Sequence, residues 1–154
     1  MFRKWGFLAV LLGAALALSG GALAETRYVV GGSLRLREAP GQEARALGSL
    51  YAGAPVEVLD ESQGWCRVQI AELIAYMKAD FLAPLAAADE TRSGEAASPY
   101  GTPTVILRSR PSNSYSTVGF VRVGERVRIL GEMEGGYFCV TAEGLGFLDQ
   151  GEVR

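Results

Sequence analysis

The side chains best suited to hold a ligand fall in matched pairs, 71 or 72 positions apart. Arg37 and Arg108 each carry a planar guanidinium that can grip a carboxylate through two parallel hydrogen bonds. Trp65 and Tyr137 each follow a glycine and offer a flat platform for a sugar ring or a peptide, with large area at low entropic cost. Tyr76 and Phe147 are placed to line the same groove. Each pair also has a plainer reading. The aromatics could be rim or core residues. The arginines could brace the loop after them by bonding its carbonyls or by pairing with Glu61 and Glu132. The recurrence of Glu with Arg in both halves favours the bracing role.

Chemistry beyond binding finds little to work with. The chain has no His, which removes His-assisted Ser and Cys nucleophiles, His-ligated zinc and the commonest general base. Two cysteines 73 positions apart do not build a zinc site, and no glycine-rich phosphate loop precedes a helix. Asp60-Glu61 and Asp89-Glu90 are sequence neighbours rather than carboxylates held apart across a cleft. The expectation is a protein that is not an enzyme and carries no metal or cofactor. Strand counting turns Cys66 inward with Val68 and Cys139 outward beside inward Phe138 and Val140. A bridge between the halves would need a core thiol to meet a surface thiol, whereas an outward Cys139 could link two chains.

The matched pairs belong to a longer repetition. Leu36-Arg37-x-x-Pro40 returns as Leu107-Arg108-x-x-Pro111. Gly48, Gly53, Val56, Leu59, Glu61 and Gly64 return as Gly119, Gly124, Val127, Leu130, Glu132 and Gly135. Nine identities fall in 29 ungapped positions, where chance composition gives roughly two. The chain is two copies of one small unit.

Within each copy the dominant period is two. Leu34 and Leu36 alternate with Arg35 and Arg37, Val56 and Val58 flank Glu57, and Val127 and Ile129 interleave with Arg126 and Arg128. Cys66-Arg67-Val68-Gln69-Ile70 and Phe138-Cys139-Val140 continue the alternation. Such strands show one face to a core and one to water. Gly53, Gly64, Gly124, Gly135 and Gly136 punctuate them as turn residues. Five or six short strands in so few residues indicate a small barrel or orthogonal sandwich. Residues 70–82 are mostly good helix formers. The second copy, however, has Glu143-Gly144-Leu145-Gly146-Phe147-Leu148 at the matching place. A shared fold therefore makes 74–78 a strand and 79–81 a single tight turn.

Residues 1–24 have the anatomy of a secretory signal: basic Arg3 and Lys4, an apolar run over 7–18, and Ala22-Leu23-Ala24 as the cleavage site. The run is too short for a stable membrane anchor. Removing it takes Lys+Arg from 15 to 13 against 17 Asp+Glu, so the remaining 130 residues carry a net charge of −4. A mildly acidic chain gains nothing from counterion release, which argues against nucleic acid as a partner. Residues 85–101 are rich in Ala, Ser, Gly and charge and read as a linker. The expected organisation is a signal peptide over 1–24, a first domain over 25–84, the linker over 85–101, and a second domain over 102–154.

The order of parts resembles the bacterial SH3-like domain. That family opens on Leu-x-Val-Arg-x-x-Pro and closes on Gly-Trp-x-x-Val followed by Gly-Tyr-Val. Here Leu34-x-Leu36-Arg37-x-x-Pro40, Gly64-Trp65-x-x-Val68 and Ala75-Tyr76 stand at those places. The second copy departs, with Tyr137 for the Trp and an extra Gly136 before it, but keeps Gly146-Phe147. The resemblance implies an all-β chain of two tandem SH3-like barrels, of five to six short strands each. It further implies an exported, cell-wall-associated binding protein whose partner is peptidoglycan or its stem or cross-bridge peptides. The alternative is a structural or adaptor protein that binds another exported protein. The candidate site residues are Trp65, Tyr76 and Arg37 in the first copy and Tyr137, Phe147 and Arg108 in the second.

Overall fold

The computed structural model of the chain describes residues 24–86 and 88–154, so the expected signal segment lies almost wholly outside the described residues. Among those residues no helix is long and apolar enough to cross a membrane. The alternating pattern gives strands almost throughout. The first unit comprises β1 (Glu25–Val29), β2 (Ser33–Arg37), β3 (Ala46–Tyr51), β4 (Pro55–Ser62), β5 (Trp65–Ile70) and β6 (Leu73–Lys78). A 3-10 turn, Ala79–Phe81, and the two-residue β7 (Leu82–Ala83) close it. The second unit comprises β8 (Arg92–Glu95), β9 (Thr104–Arg108), β10 (Thr117–Arg122), β11 (Arg126–Met133), β12 (Gly136–Thr141) and β13 (Gly144–Asp149). It ends on a 3-10 turn, Gln150–Glu152.

Both units have the same strand order: β3-β2-β6-β5-β4-β1 is matched by β10-β9-β13-β12-β11-β8. From β2 onward the matched strands start and stop 71 residues apart, and so do their irregularities. The register slips past Leu59 between β4 and β5 and past Leu130 between β11 and β12. It slips again past Leu47 and past Val118. Each extra residue bends its strand and tightens the twist, which lets so short a sheet curl into a barrel. The architecture is all-β, two small barrels in tandem.

The segment of helix formers is a strand. β6 pairs with β5 along its whole length, from Trp65 opposite Lys78 to Ile70 opposite Leu73. Ala75 and Met77 are buried, and Tyr76 between them is half-buried. The cross-strand partners and the burial of alternate residues outweigh an intrinsic preference worth only tenths of a kcal/mol per residue.

The barrels do not stand apart. β3 lends its outer edge to β11, with Gly48, Ser49 and Leu50 opposite Met133, Glu132 and Gly131. The backbones meet so closely that a Cβ on Gly131 would overlap the carbonyl oxygen of Ser49, and one on Gly48 that of Glu132. The turn between β5 and β6 reaches the loop after β9: the Glu72 N–H donates to the Ser109 carbonyl (3.0 Å), and the Ser109 hydroxyl to the Glu72 carboxylate (3.0 Å). Leu130, Phe138 and Phe147 of the second unit join the core built on Leu36, Leu50, Val68 and Met77 of the first. A second core gathers Val105, Leu107, Val121, Val127, Cys139 and Leu148.

One expectation changes here. Cys139 does not point outward; it is fully buried in the second core, opposite in face to Phe138. Alternation separates the two faces of β12 correctly, but both are covered, one by its own barrel and one by the neighbouring unit. With each thiol inside a different core, both cysteines are free, and Cys139 is not available to link chains. Within residues 85–101, Arg92–Glu95 form β8 against β11. Composition hides this strand. Gly94 lies where a Cβ would meet Val153 Cγ1 at 2.6 Å, and Ala96 after it brings only a methyl group to full burial.

Candidate functional site

The turn Gln63-Gly64 joins β4 to β5 with both residues at positive φ, 52° and 82°. This two-residue geometry matches the strand twist and fixes Trp65 as the first residue of β5, opposite Lys78. Its half-buried indole stands between two cavities. One, of about 350 Å³, is lined by Pro40, Gly41, Asp60, Ser62, Gln63, Trp65 and Tyr76. The other, of about 200 Å³, is lined by Ser33, Leu34, Arg35, Arg37, Gln42, Trp65, Lys78 and Phe81. Trp65 is the lining residue they share, so the two cavities adjoin across its ring.

Trp65, Tyr76 and Arg37 thus meet in one place. Arg37 lies opposite Tyr76 across β2 and β6, and its Nη1 donates to the Ala44 carbonyl at 2.7 Å. This bond braces the loop that walls the groove and leaves the rest of the guanidinium unspent. Pairing between Arg37 and Glu61 does not occur. Glu61 binds Arg27 of β1 at 2.7 Å, and Glu132 binds Arg92 of β8 at 3.5 Å. The recurring Glu therefore serves the first strand of its own barrel. Asp60, on the groove wall, is held by Arg67 at 2.7 Å.

The alternation also carries residues that were not singled out from the sequence. Arg35 shares a face of β2 with Arg37, and Lys78 shares a face of β6 with Tyr76; a period of two from the named residues would have reached both. Lys78 Nζ lies 6.0 Å from the centre of the Phe81 ring. Among the described residues Arg35, Arg37 and Lys78 form no ion pair, whereas Arg27, Arg67, Arg92 and Arg108 all do.

Tyr137, Phe147 and Arg108 do not form a matching groove. Gly136, not Tyr137, occupies the strand position of Trp65, since Gly136 faces Asp149 as Trp65 faces Lys78. Tyr137 takes the place of Cys66 and packs with Tyr51 against the second core. Phe147, the counterpart of Tyr76, is buried and meets Phe138, the counterpart of Arg67. The face that is open in the first unit is sealed in the second by the first unit itself. Arg108 is spent: Nη1 and Nη2 donate to the two oxygens of Glu152 at 2.8 and 3.2 Å, Asp149 lies at 3.2 Å, and the Tyr115 ring lies 5.2 Å away. Burial works against its charge, but the bonds to Glu152 and Tyr115 more than offset this and hold its pKa above the usual arginine value.

Paired meanders with repeated bulges, one bearing an aromatic groove, define a tandem small-barrel protein. The chain belongs to the bacterial SH3 domain family, which matches residues 32–83 and 103–154. Among solved structures it resembles NlpC1 from Trichomonas vaginalis at 17% identity and a TM-score of 0.39, covering 85% of this chain and 45% of that one. NlpC2 from the same organism gives 16% and 0.37, with 85% and 48% covered. The chain spans under half the length of either. No curated protein sequence matches it.

Proposed function

We propose that the chain is a non-catalytic exported binding module, associated with the cell wall, that holds peptidoglycan through its stem or cross-bridge peptides. The reading rests on one observation: Trp65, Tyr76 and Arg37, from three separate strands, line two adjoining open cavities that share the Trp65 ring in the first unit. A half-buried Trp beside polar walls suits a ligand that is part flat apolar surface and part hydrogen-bonding chain. Binding by two equivalent sites with avidity is not supported, because the matching face of the second unit is buried. The second barrel acts as a support for the first.

Co-sedimentation with purified peptidoglycan sacculi tests the reading. The chain pellets with sacculi, and Trp65→Ala and Tyr76→Ala each release it while leaving the far-ultraviolet circular dichroism intact. Retention unchanged by both substitutions refutes the groove. No retention at all favours a second reading, an adaptor for another exported protein. One feature speaks for that reading: Phe120, 58% exposed, and Val118 lie on β10, which among the described residues pairs with β9 alone.

A further inference from the structure

The duplication supplies its own comparison for the smaller cavity beside Trp65. Counterparts 71 positions apart put Asp149 at the place of Lys78 and Glu152 at the place of Phe81, on matching strands and matching 3-10 turns. In the second unit those two carboxylates close on Arg108, and Glu152 takes it in a two-pronged grip. Glu152 is buried, and its Oε2 also accepts the Asp149 N–H at 2.9 Å, so the carboxylate is fixed in place. The second barrel fills this position with a carboxylate of its own.

In the first unit the equivalent arginine has no such partner. Phe81 and Lys78 replace the two acids, and Arg35 stands where the second unit has Ile106. Three cations, one of them a guanidinium already steadied by the Ala44 carbonyl, then line a cavity of about 200 Å³ with Trp65, Leu34 and Phe81 as its apolar walls. Three cations on one wall repel one another weakly across water, and an anion between them turns that repulsion into attraction. The chain is acidic as a whole, so this local excess is not a reflection of composition.

We infer that this cavity is a carboxylate subsite, in which an external carboxylate sits against Arg37 as Glu152 sits against Arg108, with Lys78 and Arg35 beside it. The ligand is an extended peptide that crosses Trp65 and ends, or branches, in a free carboxylate. The peptide character rests on the function proposed above; the carboxylate does not. Planar forks of N–H groups suit carboxylates and phosphates alike. The apolar walls and the internal precedent of Glu152 favour the carboxylate.

The test is a nuclear magnetic resonance titration of the chain with three probes: diacetyl-Lys-D-Ala-D-Ala, its C-terminal amide, and glycerol 3-phosphate. The acid binds about tenfold more tightly than the amide, as a charge-assisted bond replaces a neutral one, and shifts the amides of Arg35 and Lys78. The double variant R35Q/K78Q loses the preference. So does Phe81→Glu, which supplies the carboxylate internally in the arrangement the second unit already folds with. Equal binding of acid and amide, a preference that survives both variants, or no binding of either peptide overturns the inference. Tighter binding of glycerol 3-phosphate than of the acid overturns the carboxylate assignment. Retention on sacculi with equal acid and amide binding sinks only the subsite, whereas acid preference without retention sinks only the wall reading.

Discussion

Phe138 meets Phe147 edge to face, with ring centroids 4.8 Å apart and planes at 64°. Both belong to the second unit, yet both lie in the core of the first. The pair makes the two units one cooperative structure. Phe138→Ala is expected to cost about 3–5 kcal/mol, as large aromatic truncations in cores do. The loss appears in both units at once. Amide exchange at Leu36 and Leu50, in the first unit, accelerates along with exchange at Leu107. First-unit amides left unchanged would show that the barrels unfold independently.

The two matched arginines are expected to differ in what they contribute to stability. Glu152→Ala strands Arg108 as a half-buried cation with Asp149 as its remaining acid, at a cost of about 3 kcal/mol. Arg37→Ala removes one hydrogen bond to a loop carbonyl and costs about 1 kcal/mol. Urea midpoints at unchanged slope measure both. Equal losses would contradict the division into a closed arginine and an open one.

Burial pushes the thiol of Cys66 up to about 11, with Glu61 adding to the rise, and that of Cys139 up to about 12. The thiol pKa is thus higher in the folded chain than its ordinary value of 9.0, so the fold favours the protonated form. This contribution is complete below about pH 9 and is lost as pH rises through the folded values. At pH 8 neither thiol of the native chain reacts with an aromatic disulfide reagent, and both react after denaturation. Thermal stability falls above about pH 9. A thiol that reacts promptly in the native chain at pH 8 would contradict the burial.

The repeat made most of the fold legible from sequence. Copying the second unit's Gly144-Leu145-Gly146 onto residues 73–75 overrode a local helix preference, and β6 is a strand as the comparison requires. The groove was legible at Trp65, Tyr76 and Arg37 because family spacing and period-two alternation agree there. The second-unit residues were not, for a physical reason: an apolar outer face looks the same whether it meets a ligand or a neighbouring barrel. Phe138 and Phe147 meet a barrel. The added Gly136 shifted Tyr137 onto the core face, which a motif aligned on its aromatic cannot detect. β8 escaped because its buried contacts are made by Gly94 and Ala96, residues that carry almost no hydrophobic signal. Lys78 and Arg35 escaped because single cations on strands are ordinary, and only their convergence on a cavity whose lining holds no acid sets them apart.

The joint between the barrels is directional: the outer face of one meets the edge of the other. A contact of that kind, once repeated, has no natural end, and would string chains into a filament. The edge of β10 at Gly119 to Val121, corresponding to the edge β3 gives to β11, has no second strand partner among the described residues, and the Glu143 side chain lies against Gly119. What it would need on the next chain is a counterpart of Gly131, and that position is Asp60. Its Cβ would stand where an incoming carbonyl must go, and its charge is anchored by Arg67. The pairing that joins the two barrels therefore cannot be repeated at Asp60 without moving a side chain that lines the cavity beside Trp65.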